Sequence, residues 1–312
     1  MASVPGGKVY AIGGYYGGAP IASVSGYDPA PNAWAAAPSL GTARGGLAAA
    51  VLNGTLYALG GGNPYSLTLV ETFTPTAAGG GTWATGTPMR TARAWFGAAA
   101  VEGKLLVAGG GNNGPAMASA EVFDPASPGT WTAAASMATP RVGHCVAALG
   151  TLVYSIGGKD NNGNTLNSVE AYDITANTWA PVAHMTTARA RTAASTLNEK
   201  LYVMGGSNDN GSLNNVEYYD PAAKTWAAAA SMGTVLFQFA AATLGNVGYV
   251  TGNYGGSTNA AGLGAAWHEC NATAPGGCTV CAACCKSDIA DGGACEACFD
   301  QRCTKAAAIA VA

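Results

Sequence analysis

A block of about 48 residues repeats along this chain, and a period of that length decides the architecture before any single residue is weighed. The segment "YAIGG" at 10–14 returns as "YALGG" (57–61), "LVAGG" (106–110), "YSIGG" (154–158) and "YVMGG" (202–206), with a worn copy, "YVTGN", at 249–253. The steps between copies are 47, 49, 48, 48 and 47 residues. A tryptophan follows each of the first five: Trp34, Trp83, Trp131, Trp179 and Trp226. Between the two markers stands an aromatic residue, with aspartate after it in "SGYDP" (25–29), "EVFDP" (121–125), "EAYDI" (170–174) and "EYYDP" (217–221), and "ETFTP" (71–75) as the deviant.

Each unit reads as four short strands, because alternating apolar residues are bounded by Gly, Asn and Pro turns. The innermost strand is small and apolar, as in "GLAAAVLNG" or "FGAAAVEG", which suits the crowded axis of a radial array. The second ends at the double glycine, where positive φ and close backbone approach are needed. The third carries the aromatic residue and the fourth begins at the Trp, whose large apolar area belongs between neighbouring units.

These features resemble the kelch family of β-propellers. The resemblance is carried by the double glycines, Tyr27, Phe73, Phe123, Tyr172 and Tyr219, the Trp series, and an arginine opening each inner strand at Arg44, Arg93, Arg141 and Arg189. It covers residues 1 to about 256 and fades beyond. It implies an all-β, six-bladed kelch-type propeller with an irregular sixth blade and a Cys-rich C-terminal extension. For function it implies less, since kelch propellers include both binding modules and enzymes.

In the sixth unit Trp267 stands at the third-strand aromatic position, His268 replaces the Asp, and "PGGCTVC" (275–281) resembles "AGGGTWATG" (78–86) with Cys278 for Trp83. Its opening arginine is lost, since register places Leu236 there. No inner-strand pattern is visible ahead of Lys8, so the tail "KAAAIAVA" (305–312) is expected to complete blade one. The expected division is a propeller over 1–277, an extension of blade six over 278–303 and a closing strand within 304–312. A fragment with an unpaired tail is the alternative.

Eight of the nine cysteines fall after residue 269. An even number in a short segment poor in apolar residues reads as a disulfide framework of Cys270, Cys278, Cys281, Cys284, Cys285, Cys295, Cys298 and Cys303. The spacing of Cys281, Cys284, Cys295 and Cys298 also matches a four-thiolate zinc site, which is the alternative to the disulfide reading. A disulfide framework would favour an extracellular or secretory-lumen location, although the first residues show no basic start and apolar run of a signal peptide. Cys145 reads as a small buried thiol.

Charged residues are only 10% of the chain and the formal charge is −3, so no basic face for nucleic acid is present, and no apolar run reaches bilayer length. Eight of the twelve acidic residues in 1–256 occupy repeat positions, leaving Glu102, Glu199, Asp160 and Asp209 in turns and loops, with no paired carboxylates. His144 falls at an inner-strand position often held by His in kelch repeats and reads as structural; His184 and His268 stand apart from it. No catalytic residues or cofactor are therefore assigned. An enzyme on the same scaffold, carbohydrate-acting or galactose-oxidase-like, remains the alternative reading. The sequons at Asn53, Asn210 and Asn271 carry little weight at this Asn and Thr content.

A non-catalytic module binding a protein, peptide or glycan on its loop face fits better. The resemblance puts the position two residues past the opening arginine at the axial mouth, where register places Gly46, Trp95, Gly143, Arg191 and Gln238. Trp95 and Arg191 are residue types that anchor interfaces, and Gln238 holds the same register position in the last unit. The loops after the double glycines differ in length and chemistry, which is where specificity usually resides. They supply Tyr15, Tyr16, Asn63, Tyr65, Asn112, Asn161 and Asn208 as rim candidates.

Overall fold

The computed structural model describes residues 1–252 apart from 5, 6, 77–79, 128, 234 and 246, together with the backbone of Ala265–Trp267. It is an all-β propeller. Among the described residues five sheets have four strands each, one has three, and a two-stranded hairpin of Ser207–Asn208 with Gly211–Ser212 stands in the blade-five loop, every neighbouring pair antiparallel. Blade one holds Ala2–Val4, Lys8–Tyr16, Ala19–Asp28 and Ala33–Ala37, and blade two Ala48–Leu52, Thr55–Leu59, Val70–Pro75 and Gly81–Thr85. Blade three holds Gly97–Val101, Lys104–Ala108, Ala120–Phe123 and Trp131–Ala134, and blade four Cys145–Leu149, Leu152–Ile156, Val169–Asp173 and Thr178–Val182. Blade five holds Ala193–Leu197, Lys200–Met204, Val216–Asp220 and Thr225–Ala229. The sixth sheet has Ala240–Leu244, Val247–Thr251 and Ala265–Trp267, so the complete blades number five where the repeat predicts six. The segments 278–303 and 304–312 lie outside the described residues.

The innermost strands neighbour one another around the axis, with Ala2–Val4 between Ala48–Leu52 and Ala240–Leu244. That placement corrects the expectation for blade one. Its inner position beside Lys8–Tyr16 is held by Ala2–Val4, paired Ala2 to Tyr10 and Val4 to Lys8. The strand was invisible in the sequence because three residues are too few to show a period. Its alternation is sound all the same, with Ala2 and Val4 buried and Ser3 between them less so.

Each third-strand aromatic packs against the Trp of the fourth strand, with ring centroids 5.3 Å apart for Tyr27–Trp34 and 5.0 Å for Tyr172–Trp179. Four of the five Trp side chains then donate Nε1–H to a carbonyl of the preceding blade: Trp83 to Pro38, Trp131 to Thr87, Trp179 to Ala135 and Trp226 to Ala183. The repeat aspartates accept backbone N–H bonds two residues ahead, Asp28 from Ala30, Asp124 from Ala126 and Asp220 from Ala222, and so shape the turn to the fourth strand.

The opening arginines do the blade-to-blade joining. Arg93 is fully buried, and its main chain belongs to blade two, where its N–H meets Leu67 O and its carbonyl receives Gly61 N. Its side chain points into blade three, where Nη1 donates to Gly109 O and Ser119 O, and Nη2 to Glu121 at 3.0 Å. The other oxygen of Glu121 accepts Arg90 N from the linker. Arg44 with Glu71, Arg141 with Glu170 and Arg189 with Glu217 repeat the arrangement at 2.7, 2.9 and 2.7 Å. A glycine is required at Gly60 because a Cβ there would stand 2.6 Å from the Arg93 carbonyl oxygen. Burial alone would push the Glu217 carboxyl up. Hydrogen bonds from Arg189 and the N–H groups of Thr186 and Thr187 outweigh it and hold the carboxyl below its ordinary value.

Where the arginine is missing, its carboxylate is missing too. Leu236 makes the same backbone bonds, with its carbonyl accepting Gly206 N and its N–H donating to Leu213 O. The Glu217 register position is taken by Ala265, opposite Val250 as Glu217 is opposite Val203. In blade one that register position is Ser25, opposite Ala11. Joint loss is what electrostatics demands, because one charge left buried without its partner costs roughly 3–5 kcal/mol. Accordingly, Arg93→Leu alone should lower stability by about that amount. Arg93→Leu with Glu121→Ala, the pair found at blade six, should recover at least half of it. Chemical denaturation of both variants checks this, and a double variant no better than the single would refute it.

Candidate functional site at the axial mouth

Two residues after each opening position the chain turns sharply into the inner strand, and all five residues there have left-handed φ. The values are 61° for Gly46, 56° for Trp95, 64° for Gly143, 53° for Arg191 and 57° for Gln238. This conformation costs about 1 kcal/mol or more for a residue with a side chain, so the surroundings must enforce it. They do so with a chain of backbone hydrogen bonds running from blade to blade. Trp95 N donates to Gly46 O at 2.8 Å, Gly143 N to Trp95 O at 2.8 Å, Arg191 N to Gly143 O at 2.6 Å and Gln238 N to Arg191 O at 3.0 Å. The five mouth residues thus form one hydrogen-bonded arc around the axis.

On this arc lies an aromatic platform that spans three blades. Tyr15, at the end of the long blade-one hairpin, stacks on Trp95 with centroids 5.8 Å apart and planes 6° from parallel. Beneath the pair are Gly45 and Gly46 of the blade-two lead-in. A Cβ on Gly46 would stand 3.0 Å from Trp95 Cε2, and one on Gly45 would run into the Tyr15 ring. Sequence reasoning named Tyr15, Trp95 and Gly46 separately. The signal that joins them is the glycine pair where the other blades have Ala94, Val142 and Ala190.

Tyr15 is 44% exposed, Tyr16 60% and Tyr65 69%, so the rim presents three aromatic faces to solvent. Arg191 is exposed and Gln238 half-buried. Three of the expected rim amides are instead tied into the scaffold. Asn63 Nδ2 donates to Ala43 O at 2.8 Å and Asn208 Nδ2 to Ala188 O at 3.2 Å. Asn161 Oδ1 accepts from Ala116 N at 2.6 Å, fastening the blade-four loop to the blade-three loop. Asn113, which the sequence reading passed over, does the same one blade earlier by accepting Ser66 N at 3.0 Å. Its neighbour Asn112 is exposed. Asp160 and Asp209 also serve loops, accepting from Asn164 N and from Thr165 Oγ1.

His144 lies beneath this surface. Its ring nitrogens make no well-formed hydrogen bond, and burial, reinforced by the positive charges of Arg141 and Arg93 and opposed by the nearby Ala108 backbone, lowers its pKa to about 3. The ring rests on Gly109, as the rings of Phe96 and Phe239 rest on Gly60 and Gly205, so it is a packing element in an aromatic position. Beside it, burial pushes the Cys145 thiol up to about 12, an inert state. The cysteines from Cys270 onward lie outside the described residues, and the zinc and disulfide readings with them. Among the described residues no group of three or more His, Cys, Asp or Glu is placed to hold a metal ion, and no helix is long and apolar enough to cross a membrane.

Radial four-stranded blades joined by one repeated ion pair define a repeat β-propeller with a loop face around its axis. Two family profiles match it: the KLHDC2/KLHL20/DRC7 Kelch-repeats domain over residues 95–267, more than half of the chain, and the Kelch motif over residues 2–41. The chain belongs to the kelch-repeat family, whose propellers are in general protein-interaction modules. Comparison with curated proteins gave no match.

A buried neutral imidazole has a pH signature. Its pKa is about 3 in the fold and about 6.5 unfolded, so protons bind the unfolded chain preferentially between those values. The stability it permits is present above pH ~6.5 and declines toward pH ~3, by at most about 1.4 kcal/mol per unit. His144→Phe, which copies Phe96 and Phe239, should match or exceed the parent Tm at pH 7 and pull further ahead at pH 5. A constant difference across that range would show that His144 does not titrate in this way.

Proposed function

We propose that this propeller is a non-catalytic recognition module that binds an extended protein segment across its axial mouth, against Tyr15, Trp95, Arg191 and Gln238. The observation that carries the reading is the Tyr15–Trp95 stack on its glycine floor. Building it uses three blades and a set of left-handed residues, yet it leaves the Tyr15 face in water, where an aromatic contributes nothing to the core. Rigid aromatic surface is what interface anchors are made of, because it buries area at little cost in side-chain entropy. Arg191, two positions further along the same arc and beside Gly143, offers a directed donor fork; among the described residues its side chain forms no ion pair. The exposed Tyr16, Tyr65 and Asn112 would set which sequences fit.

The test is selection from a displayed library of linear peptides on the immobilised chain, followed by affinity measurement on Trp95→Ala with Arg191→Ala. Enriched peptides should bind the double variant at least tenfold more weakly, with Tm lower by no more than a few degrees. Equal binding to both proteins would refute the reading. Enrichment failing while a glycan array gives Trp95-dependent signals would move the ligand class to carbohydrate.

A further inference from the structure

The linkers that run from an outer strand to the next inner strand carry one large apolar side chain at a fixed position: Leu40, Met89, Met137, Met185 and Met232. The methionine N–H groups all donate to the lead-in of the third strand of their own blade, Met89 to Thr68 O, Met137 to Ala118 O, Met185 to Asn167 O and Met232 to Asn214 O. The side chains run inward onto the double glycine. A Cβ on Gly60, Gly157 or Gly205 would stand 2.9, 3.3 or 2.8 Å from the Cε of Met89, Met185 or Met232. These methionines therefore plug the space between a linker and the second strand of its blade. What differs is the clamp beside the plug. The N–H of the next residue is held by the glutamate of the following blade: Gly41 by Glu71, Arg90 by Glu121, Ala138 by Glu170 and Thr186 by Glu217. After Met232 the following blade has Ala265 at that register position, and no carboxylate stands there to meet Gly233. Exposure follows the clamp. Leu40, Met89, Met137 and Met185 are buried, whereas Met232 is only half-buried, and Gly233 and Val235 beyond it are exposed.

We infer that Met232 is a site of oxidation by peroxide, and that its sulfoxide opens the junction between blades five and six. The thioether sulfur attacks the O–O bond of hydrogen peroxide. An S–O bond forms, the O–O bond breaks, and the proton passes to the departing oxygen, which leaves as water. Sulfur is oxidised by two electrons and the peroxide is reduced by two. The product has a strongly polar oxygen where an apolar thioether was. Met232 packs against the cluster that holds Met204, Val216, Leu236 and Phe239, and none of these side chains can donate a hydrogen bond to that oxygen. The oxidised side chain is therefore expelled toward water and draws its linker out. Nothing opposes this as the glutamate clamp would at the other junctions. The same linker carries Leu236, whose carbonyl accepts Gly206 N, and Gln238, whose N–H donates to Arg191 O. Oxidation thus loosens the seam and the last residue of the mouth arc together. Met1 and Met117 are also half-buried but lie outside the linkers, and Met204 is buried.

The experiment treats the folded full chain with hydrogen peroxide, maps sulfoxide by peptide mass spectrometry and then records amide hydrogen exchange. Met232 should oxidise at least tenfold faster than Met89, Met137 and Met185. After oxidation the Gly206 amide should exchange at least tenfold faster, while those of Gly61 and Gly110 stay unchanged. Met232→Leu, which copies Leu40 of the first linker, should keep the parent Tm and show no effect of peroxide at Gly206. Oxidation of Met232 no faster than that of the three buried methionines would overturn the site. A Gly206 amide indifferent to peroxide in the parent would overturn the opening. So would a response that persists in Met232→Leu, because it would then arise from Met1 or Met117.

Discussion

The buried arginine–glutamate pair is the interaction on which the rest of the molecule depends. A propeller blade is a twisted sheet that cannot hide both faces alone, and apolar contact between blades is non-directional. It would hold the blades together without fixing their angle. Each arginine supplies the direction, because its backbone is bonded into one blade while its guanidinium is bonded into the next. Placing such a charge in the interior is expensive, and burial does pull the guanidinium of Arg93 below its ordinary pKa, with Glu121 opposing the shift. Each Nε also stays buried without a partner, which offsets part of the gain, so the pair contributes a modest net cohesion together with a unique geometry.

What the pair positions is the mouth. The arginine stands two residues before the left-handed residue that opens each inner strand, so fixing one fixes the other. Trp95 and Arg191 could not hold their strained φ on a loose loop. The arc of backbone bonds from Gly46 to Gln238 is then a rigid frame of backbone amides, and the side chains it carries vary while the frame does not. That separation of constant scaffold from variable surface is how one fold serves many ligands. It also explains why the amides Asn63, Asn161 and Asn208, which look like rim contacts on paper, are spent on holding the loops.

Much of this was legible in the sequence, because the features that build a blade recur at a fixed period. The double glycines, the aromatic–Trp pairing and the absence of an arginine at Leu236 were all readable from register. The inner strand of blade one was not, since a pairing of three residues leaves no periodic trace. The Tyr15–Trp95 stack was hidden for a different reason. Its members are 80 residues apart, and only the missing side chains of Gly45 and Gly46 hint that something lies across them. Asn113 was overlooked because an Asn before Gly reads first as a turn, and its bond to the neighbouring loop depends on the ring having closed.

If the arginine pairs set how the blades hold together, the junctions should differ in how they open. The direct measurement is native-state amide hydrogen exchange across a series of sub-denaturing guanidinium concentrations. The amides of Gly61, Gly110 and Gly158, bonded to arginine carbonyls, should exchange only through global unfolding. That of Gly206, bonded to Leu236 where no ion pair exists, should exchange through an earlier, smaller opening. Equal opening free energies at all four glycines would contradict the account, since the ion pairs would then add nothing to the cohesion of the ring.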